Sequence, residues 1–367
     1  MGIPEKIKAI QDEILRTQNN KATEHHIGLL KAKIAKLKRE QETEQVKKSA
    51  KKQDGFDVKR TGDATVVFIG LPSVGKSTLL NRVTGSKSAI GAYQFTTLTV
   101  VPGVMNYRGA RIQVLDLPGI IKGASTGKGL GKRILSVARS ADIVLLVLDV
   151  FQPYHEDVLI NELGNIGIRL NQTPPDIVIE KSTTGGIAVA QQKKLKKMSE
   201  KLLKEILNIY GYTSARVVIK EDIESEQLID FINGNKTYAK GITILNKIDL
   251  VDEKFLKDVS KKLKTDFIPT SADSNKNINQ LKERIYNELQ FIRVYLRPKG
   301  GETDFKEPLI VRKGNTVADV CNKLHRNMKK DFRFGLVWGK SVKFGGQRVS
   351  LNHVLIDEDV LTVVKKR

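Results

Sequence analysis

A single cysteine, Cys321, is all that the 367-residue chain contains, so no disulfide can close within it and a reducing compartment is expected. The five histidines, His25, His26, His155, His325 and His353, are scattered without the spacing of a zinc site. A run of about 18 apolar residues, the minimum for a membrane-spanning helix, is also missing. The opening MGIPEKIKAI is charged from its fifth residue and has no Ser or Thr at its sixth, so a secretory leader and a myristoylation signal are not expected either. These absences point to a cytoplasmic protein with no membrane association. Acidic residues are few, 41 against 63 Lys and Arg, for a net charge of +22. The first 62 residues carry about +6 and the last 76 about +9, while 171 to 236 carry only about +1. Positive charge gathered at both ends suits a polyanionic partner, with ribosomal or other RNA as the expectation.

Four short segments stand out in one order along the chain: GLPSVGKS at 70–77, DLPG at 116–119, NKID at 246–249 and TSA at 270–272. The first follows ATVVFI, a buried-strand pattern, and precedes a helical spacing of Leu79, Leu80 and Val83. Strand, glycine loop and helix form the context in which Gly70, Pro72, Ser73, Val74, Gly75, Lys76, Ser77 and Thr78 wrap a polyphosphate with backbone N–H groups. Lys76 is expected on the β- and γ-phosphates and Ser77 on Mg²⁺. Asp116, at the end of a strand over 111–115, is positioned to orient the Mg²⁺ shell, and the Gly119 N–H to sense the γ-phosphate. Between them, Tyr93 to Gly103 holds Thr96 and Thr97; Thr97 is the favoured metal ligand.

Asn246, Lys247 and Asp249 follow the apolar GITIL of 241–245. A carboxylate at Asp249 accepts from guanine N1–H and the 2-amino group, neither of which adenine offers. Rejection of adenine by such an unpaired carboxylate is worth several kcal/mol, on the order of 10⁴-fold. Ser271 and the Ala272 N–H are expected to complete the base pocket. GTP and GDP are therefore the expected ligands.

Apolar residues at 3, 7, 10, 14 and again at 27, 30, 34, 37 alternate steps of three and four, which predicts an antiparallel helical pair. Lys31, Lys33, Lys36, Lys38 and Arg39 are expected on its outer surface, where phosphates can approach. The region from Asn171 reads as strands at 176–180, 187–190 and 215–219, with helices at 195–210 and 225–232. Beyond 295 the pattern gives a strand at 308–311, a helix at 317–328, and strands at 336–338 and 360–364, a β-grasp order. There Phe332, Phe334, Trp338 and Phe344 interleave with Lys330, Arg333, Lys340 and Lys343 as a surface for stacking bases and pairing phosphates. The expected class is α/β. A P-loop GTPase domain, with a mostly parallel sheet and helices on both faces, occupies 56–170 and 237–291. A helical region precedes it at 1–55, a small α+β domain is inserted at 171–236, and a β-grasp domain covers 292–367.

YQFTTL, GLPSVGKST and DLPGIIKGASTGKGLGK resemble the Obg-like GTPases. More narrowly, IKAIQDEILRTQNNKAT, IGIRLNQTPPDIVI and SLNHVLIDEDVLTVVKK resemble the developmentally regulated GTP-binding proteins, and the C-terminal segment resembles a TGS domain. The resemblance implies a switch GTPase acting in translation on ribosomes, rRNA or tRNA, with a helical regulatory partner protein in some members; a monomer is expected. A ribosome-assembly GTPase, or an RNA-binding module with a structural nucleotide site, are the alternatives. One departure bears on rate: Ile120 stands where small GTPases place a water-orienting Gln. Intrinsic hydrolysis is expected to be slow, resting on Lys76, Mg²⁺ and Gly119. A K⁺ ion is one candidate for acceleration, although related sites that use it place Asn where this loop has Ser73. A ribosome or partner that orders the Gly119–Gly131 segment is the other.

Overall fold

A computed structural model describes residues 2–18, 20, 23–48, 62–85, 94–95, 98–99, 101–117 and 137–366. Its internal contacts define two units, one of Met1–Gly55 with Asn171–Tyr238 and one of Phe56–Leu170 with Ala239–Arg367. The first seven strands are β1 (Ala64–Gly70), β2 (Gln94–Phe95), β3 (Leu98–Thr99), β4 (Val101–Tyr107), β5 (Ala110–Asp116), β6 (Ile143–Asp149) and β7 (Ile168–Leu170). Three more, β8 (Ile177–Lys181), β9 (Ile187–Gln191) and β10 (Ala215–Ile219), form a separate sheet. The chain then continues through β11 (Thr237–Asn246), β12 (Phe267–Pro269), β13 (Phe291–Leu296), β14 (Leu309–Arg312), β15 (Phe332–Trp338), β16 (Gln347–Val349) and β17 (Asp359–Lys365).

In the larger unit the main sheet has the order β12-β11-β6-β1-β5-β4, with β7 also paired to β11. Its strands from β12 to β5 run parallel, and β4 turns back, antiparallel to β5 through Arg108-Gly109. Parallel strands need both faces covered, and β1 is buried along its whole length. Alternate side chains serve the two sides. Val66 and Phe68 join Leu79, Leu80, Leu281 and Ile285 from helices Lys76–Thr84 and Ile278–Glu288. Val67 and Ile69 join Leu159 and Val259 from helices His155–Asn165 and Glu253–Ser260. The mostly parallel, doubly covered sheet is the architecture the sequence predicts.

The C-terminal sheet of the same unit has the order β14-β13-β17-β15-β16 and packs on helix Val317–Leu324 through Val294, Val317, Val320, Cys321, Val337 and Leu361. Two of its strands, β13 and β16, are absent from the sequence reading. The first follows a helix after only Leu289 and Gln290, and the second is three residues long. The helix is four residues shorter than expected: His325 is extended, and its ring Nδ1 accepts from the Asn327 N–H. Phe332, expected at the surface, is buried in this core. Phe344 is exposed, and the rings of Phe334 and Trp338 are covered by Arg348 at 4.3 Å and Arg297 at 5.0 Å. Arg333, one of the expected cations, also lies 6.0 Å from the Phe334 ring, so arginines accompany these aromatics.

In the smaller unit, helices Ile3–Arg16 and Glu24–Lys48 pair as predicted. The second supplies Leu29, Ala32 and Ala35 to a core that also holds Leu203, Ile206 and Leu207 of helix Glu200–Ile209, Val217 of β10, and Ile229 of helix Ser225–Asn233. Helix Glu200–Ile209 starts later than expected. Asp222 accepts from the Lys196 and Lys197 N–H groups, outside the helix, and Ser199 caps it by accepting from the Leu202 N–H. Three of the cations expected to face phosphates are used within the unit. Lys31 pairs with Glu226 at 2.6 Å, while Lys36 and Arg39 donate to the carbonyls of Ile209 and Ile232, at the C-terminal ends of the two shorter helices. Leu203 is fully buried, so Leu203→Ala should cost about 2–5 kcal/mol of the stability of this unit. Chemical denaturation followed by circular dichroism measures it; a loss below 1 kcal/mol would count against a shared core.

Candidate nucleotide site

The four motifs meet at the carboxyl ends of parallel strands, where an open α/β sheet leaves a crevice for ligand. β1 ends in Gly70, β5 in Asp116 and β11 in Asn246, and the chain leaving β12 forms the loop of Thr270 to Ala272. From Gly70 the chain turns through Pro72 and Ser73, both exposed, to the buried Val74 and into helix Lys76–Thr84. Thr78 lies exposed in the helix's first turn. The Lys76 ammonium donates to the carbonyls of Gly70 at 3.1 Å and Leu71 at 2.8 Å, so it lies back across its own loop. Burial pulls its pKa below the ordinary lysine value, against the opposing pull of the Asp116 charge.

Asp116 carries the complementary strain. Ser77 Oγ donates to its Oδ2 at 2.6 Å, while Oδ1 is buried with no hydrogen-bond partner among the described residues. Burial raises the Asp116 pKa, against the Ser77 hydrogen bond and the Lys76 charge. A buried carboxylate oxygen without a partner, beside a hydroxyl, fits a small oxygen-seeking cation such as Mg²⁺. Both charged groups thus stand in surroundings that disfavour their charge until a ligand brings the opposite one. Thr96, Thr97, Gly119 and Ile120, with the rest of 118–136, lie outside the described residues.

On the base side, Asn246 is 2% exposed, and both ends of its amide are engaged within the protein. Its Nδ2 donates to the Val74 carbonyl at 2.9 Å, and its Oδ1 accepts from the Ala272 N–H at 3.1 Å. The phosphate loop and the TSA loop are therefore tied through one side chain. The Ala272 N–H, expected to face the base, is spent on this tie. Ser271 is fully buried, and its Oγ accepts from the Ser274 N–H. Lys247 adopts the left-handed backbone conformation, φ 67°, and its ammonium meets Asp149 Oδ2 at 2.7 Å. Asp249 follows as an exposed carboxylate on the 3₁₀ turn Ile248–Leu250.

Two residues of this arrangement escaped the sequence reading. Asp149 ends β6 and pairs in register with Asn246 of β11. Its signal was available, since it closes the apolar run from Ile143 as Asp116 closes the strand that holds Ile112, Val114 and Leu115. Arg82, on the phosphate-loop helix, donates to the carbonyls of Ala272 at 2.8 Å and Asp273 at 3.0 Å. A basic residue late in a helix gives no hint of such a partner 190 residues away.

Comparison with known proteins finds GTP-binding relatives along the whole chain. A family model described as a 50S ribosome-binding GTPase matches residues 65–181, the model for the C-terminal region of that domain matches 184–291, and a TGS domain model matches 292–365. An uncharacterized GTP-binding protein of Methanocaldococcus jannaschii is 51% identical over 100% of this chain and 94% of its own length. The developmentally-regulated GTP-binding protein 1 of Xenopus laevis is 44% identical over the full length of both chains. Among solved structures, the YchF GTPase of Schizosaccharomyces pombe is similar at 15% identity and a TM-score of 0.42, over 83% of this chain and 99% of that one.

Proposed function

This chain belongs to the family of developmentally regulated GTP-binding proteins, and on that premise we propose that it is a slow Mg²⁺-dependent GTP hydrolase that acts as a switch on a ribosomal or RNA platform in the cytoplasm. The observation that carries the catalytic part is Asp116, whose Oδ1 is buried beside Ser77 and Lys76 and has no partner among the described residues. Ser77 and Asp116, with Thr97, are the residues to hold Mg²⁺, which when bound neutralises phosphate charge that develops during transfer. Lys76 turns from the Gly70 and Leu71 carbonyls to the β- and γ-phosphates, exchanging neutral acceptors for anionic ones. Gly70 to Thr78 cradle the phosphates with N–H groups and the positive end of the helix dipole. The Gly119 N–H sits on the γ-phosphate. Asp249 reads guanine N1–H and the 2-amino group, with Lys247 lying over the base and Asn246, Ser271 and Ala272 shaping the pocket. Ile120 cannot polarise water, so turnover by the chain alone is slow; K⁺ or a bound partner supplies what is missing.

Support for the RNA platform comes from the +22 charge and the arginine-covered aromatics of the C-terminal sheet. No helix among the described residues is long and apolar enough to cross a membrane. Purified protein should release phosphate from GTP and not from ATP, and EDTA should abolish that release; equal turnover of both nucleotides sinks the base assignment. Co-sedimentation with ribosomes at fixed salt, with GDP against a non-hydrolysable GTP analogue, tests the switch. Equal binding in both states would instead favour an RNA-binding module whose nucleotide is structural.

A further inference from the structure

We infer that Arg82 is a positioning residue for base recognition, acting through the TSA loop and resting on the nucleotide assignment above. Ala272 is held by both of its backbone groups. Asn246 Oδ1 takes its N–H at 3.1 Å, and Arg82 Nε gives a hydrogen bond to its carbonyl at 2.8 Å. A second Arg82 nitrogen donates to the next carbonyl, that of Asp273, at 3.0 Å. The two peptide carbonyls are thus held by a planar fork with fixed spacing, which lysine cannot reproduce. The rest of the loop is fixed from its other side: Ser271 exchanges both backbone hydrogen bonds with Lys276, and the Thr270 N–H bonds to the Leu245 carbonyl. Without Arg82, among the described residues Asn246 alone would connect the Ala272 peptide to the phosphate side of the site.

Arg82 lies six residues beyond Lys76 on the helix that begins at the phosphate loop. It is exposed, whereas Leu79, Leu80 and Val83 carry the packing of that helix. Removing its head therefore opens no cavity in the helix packing, and water can take its place at the exposed Asp273 carbonyl. What is lost is the registration of the base loop against the phosphate helix. With the Ala272 and Asp273 carbonyls released, that end of the loop takes up more positions around the base, and affinity falls by the cost of ordering it again on binding. The loss falls on the base half of the ligand and leaves the phosphate half intact.

The test compares full-length protein with Arg82→Ala and Arg82→Lys, using fluorescent GDP, displacement by tripolyphosphate, and thermal unfolding. Arg82→Ala should raise the Kd for GDP about tenfold, chiefly through faster dissociation, while displacement by tripolyphosphate and the unfolding temperature of the nucleotide-free protein change little. Arg82→Lys should fall between, since it keeps the charge and loses the fork. Unchanged GDP affinity in Arg82→Ala overturns the inference, as does an equal loss for GDP and tripolyphosphate, which would mark a general disturbance of the helix. Failure of the unsubstituted protein to bind GDP would overturn the nucleotide assignment and this inference with it.

Discussion

Asp249→Asn is expected to lower GTP affinity by a factor on the order of 10³–10⁴ and to bring xanthosine triphosphate into the site in its place. A carboxylate offers two acceptors, matched to N1–H and the 2-amino group of guanine. An amide offers one acceptor and one donor, matched to N1–H and the 2-oxo group of xanthine. The fold should not notice the exchange, because Asp249 is exposed and the turn that presents it is set by its neighbours. Ile248 is buried and its N–H bonds to the Thr270 carbonyl, while Lys247 is pinned by Asp149. Stability should stay within about 0.5 kcal/mol. Nucleotide affinity by fluorescence competition decides the matter, and unchanged guanine preference would remove Asp249 from the base contact.

Gly75→Ala is the second large effect, and it reaches both halves of the site at once. Gly75 has φ +92°, where a side chain costs about 1–2 kcal/mol on steric grounds. A Cβ there would also lie 2.3 Å from Asn246 Nδ2. Either the loop or Asn246 must move, and if Asn246 moves it loses the Val74 carbonyl and slackens its hold on Ala272. GDP affinity should fall by about 100-fold or more, the sum of a distorted phosphate cradle and a displaced base loop at 1.4 kcal/mol per factor of ten. The unfolding temperature should drop by several degrees as well. A variant that binds GDP normally would mean that the loop absorbs the methyl without disturbing Asn246.

The parts of this site legible in the sequence are those whose partners are local. GLPSVGKS announces a loop because its glycines, lysine and serine act within one turn of chain, and DLPG and NKID each close an apolar strand that sequence patterning can find. Asp149 and Arg82 act across the fold. The first matters because β6 and β11 are neighbours in a given register, the second because its partners are backbone carbonyls, which have no sequence signature. The same reason hides the partner of the N-terminal hairpin. A stripe of Ile and Leu says that something covers it, yet the complementary stripe at Leu203, Ile206 and Leu207 lies more than 150 residues on. The misjudged helix ends have a common cause: side-chain caps at Asp222 and Ser199, and a ring nitrogen at His325, intercept backbone groups that the apolar spacing alone would have kept helical.

The hairpin lysine and arginine that finish two helix ends bear on how this chain should respond to salt. Each phosphate neutralised by a free cation releases a condensed counterion, and for duplex nucleic acid the binding constant falls with salt at a slope of roughly 0.9 per phosphate. Lys36 and Arg39 already face carbonyl oxygens, and Lys31 faces Glu226. An RNA that met the N-terminal segment would find fewer unengaged cations there than a residue count suggests, and would release correspondingly few ions. The C-terminal 76 residues, with their charge of about +9, likewise spend Arg293, Arg312 and Lys323 on carboxylates, so the salt slope of any RNA complex should be smaller at either end than the count of Lys and Arg implies.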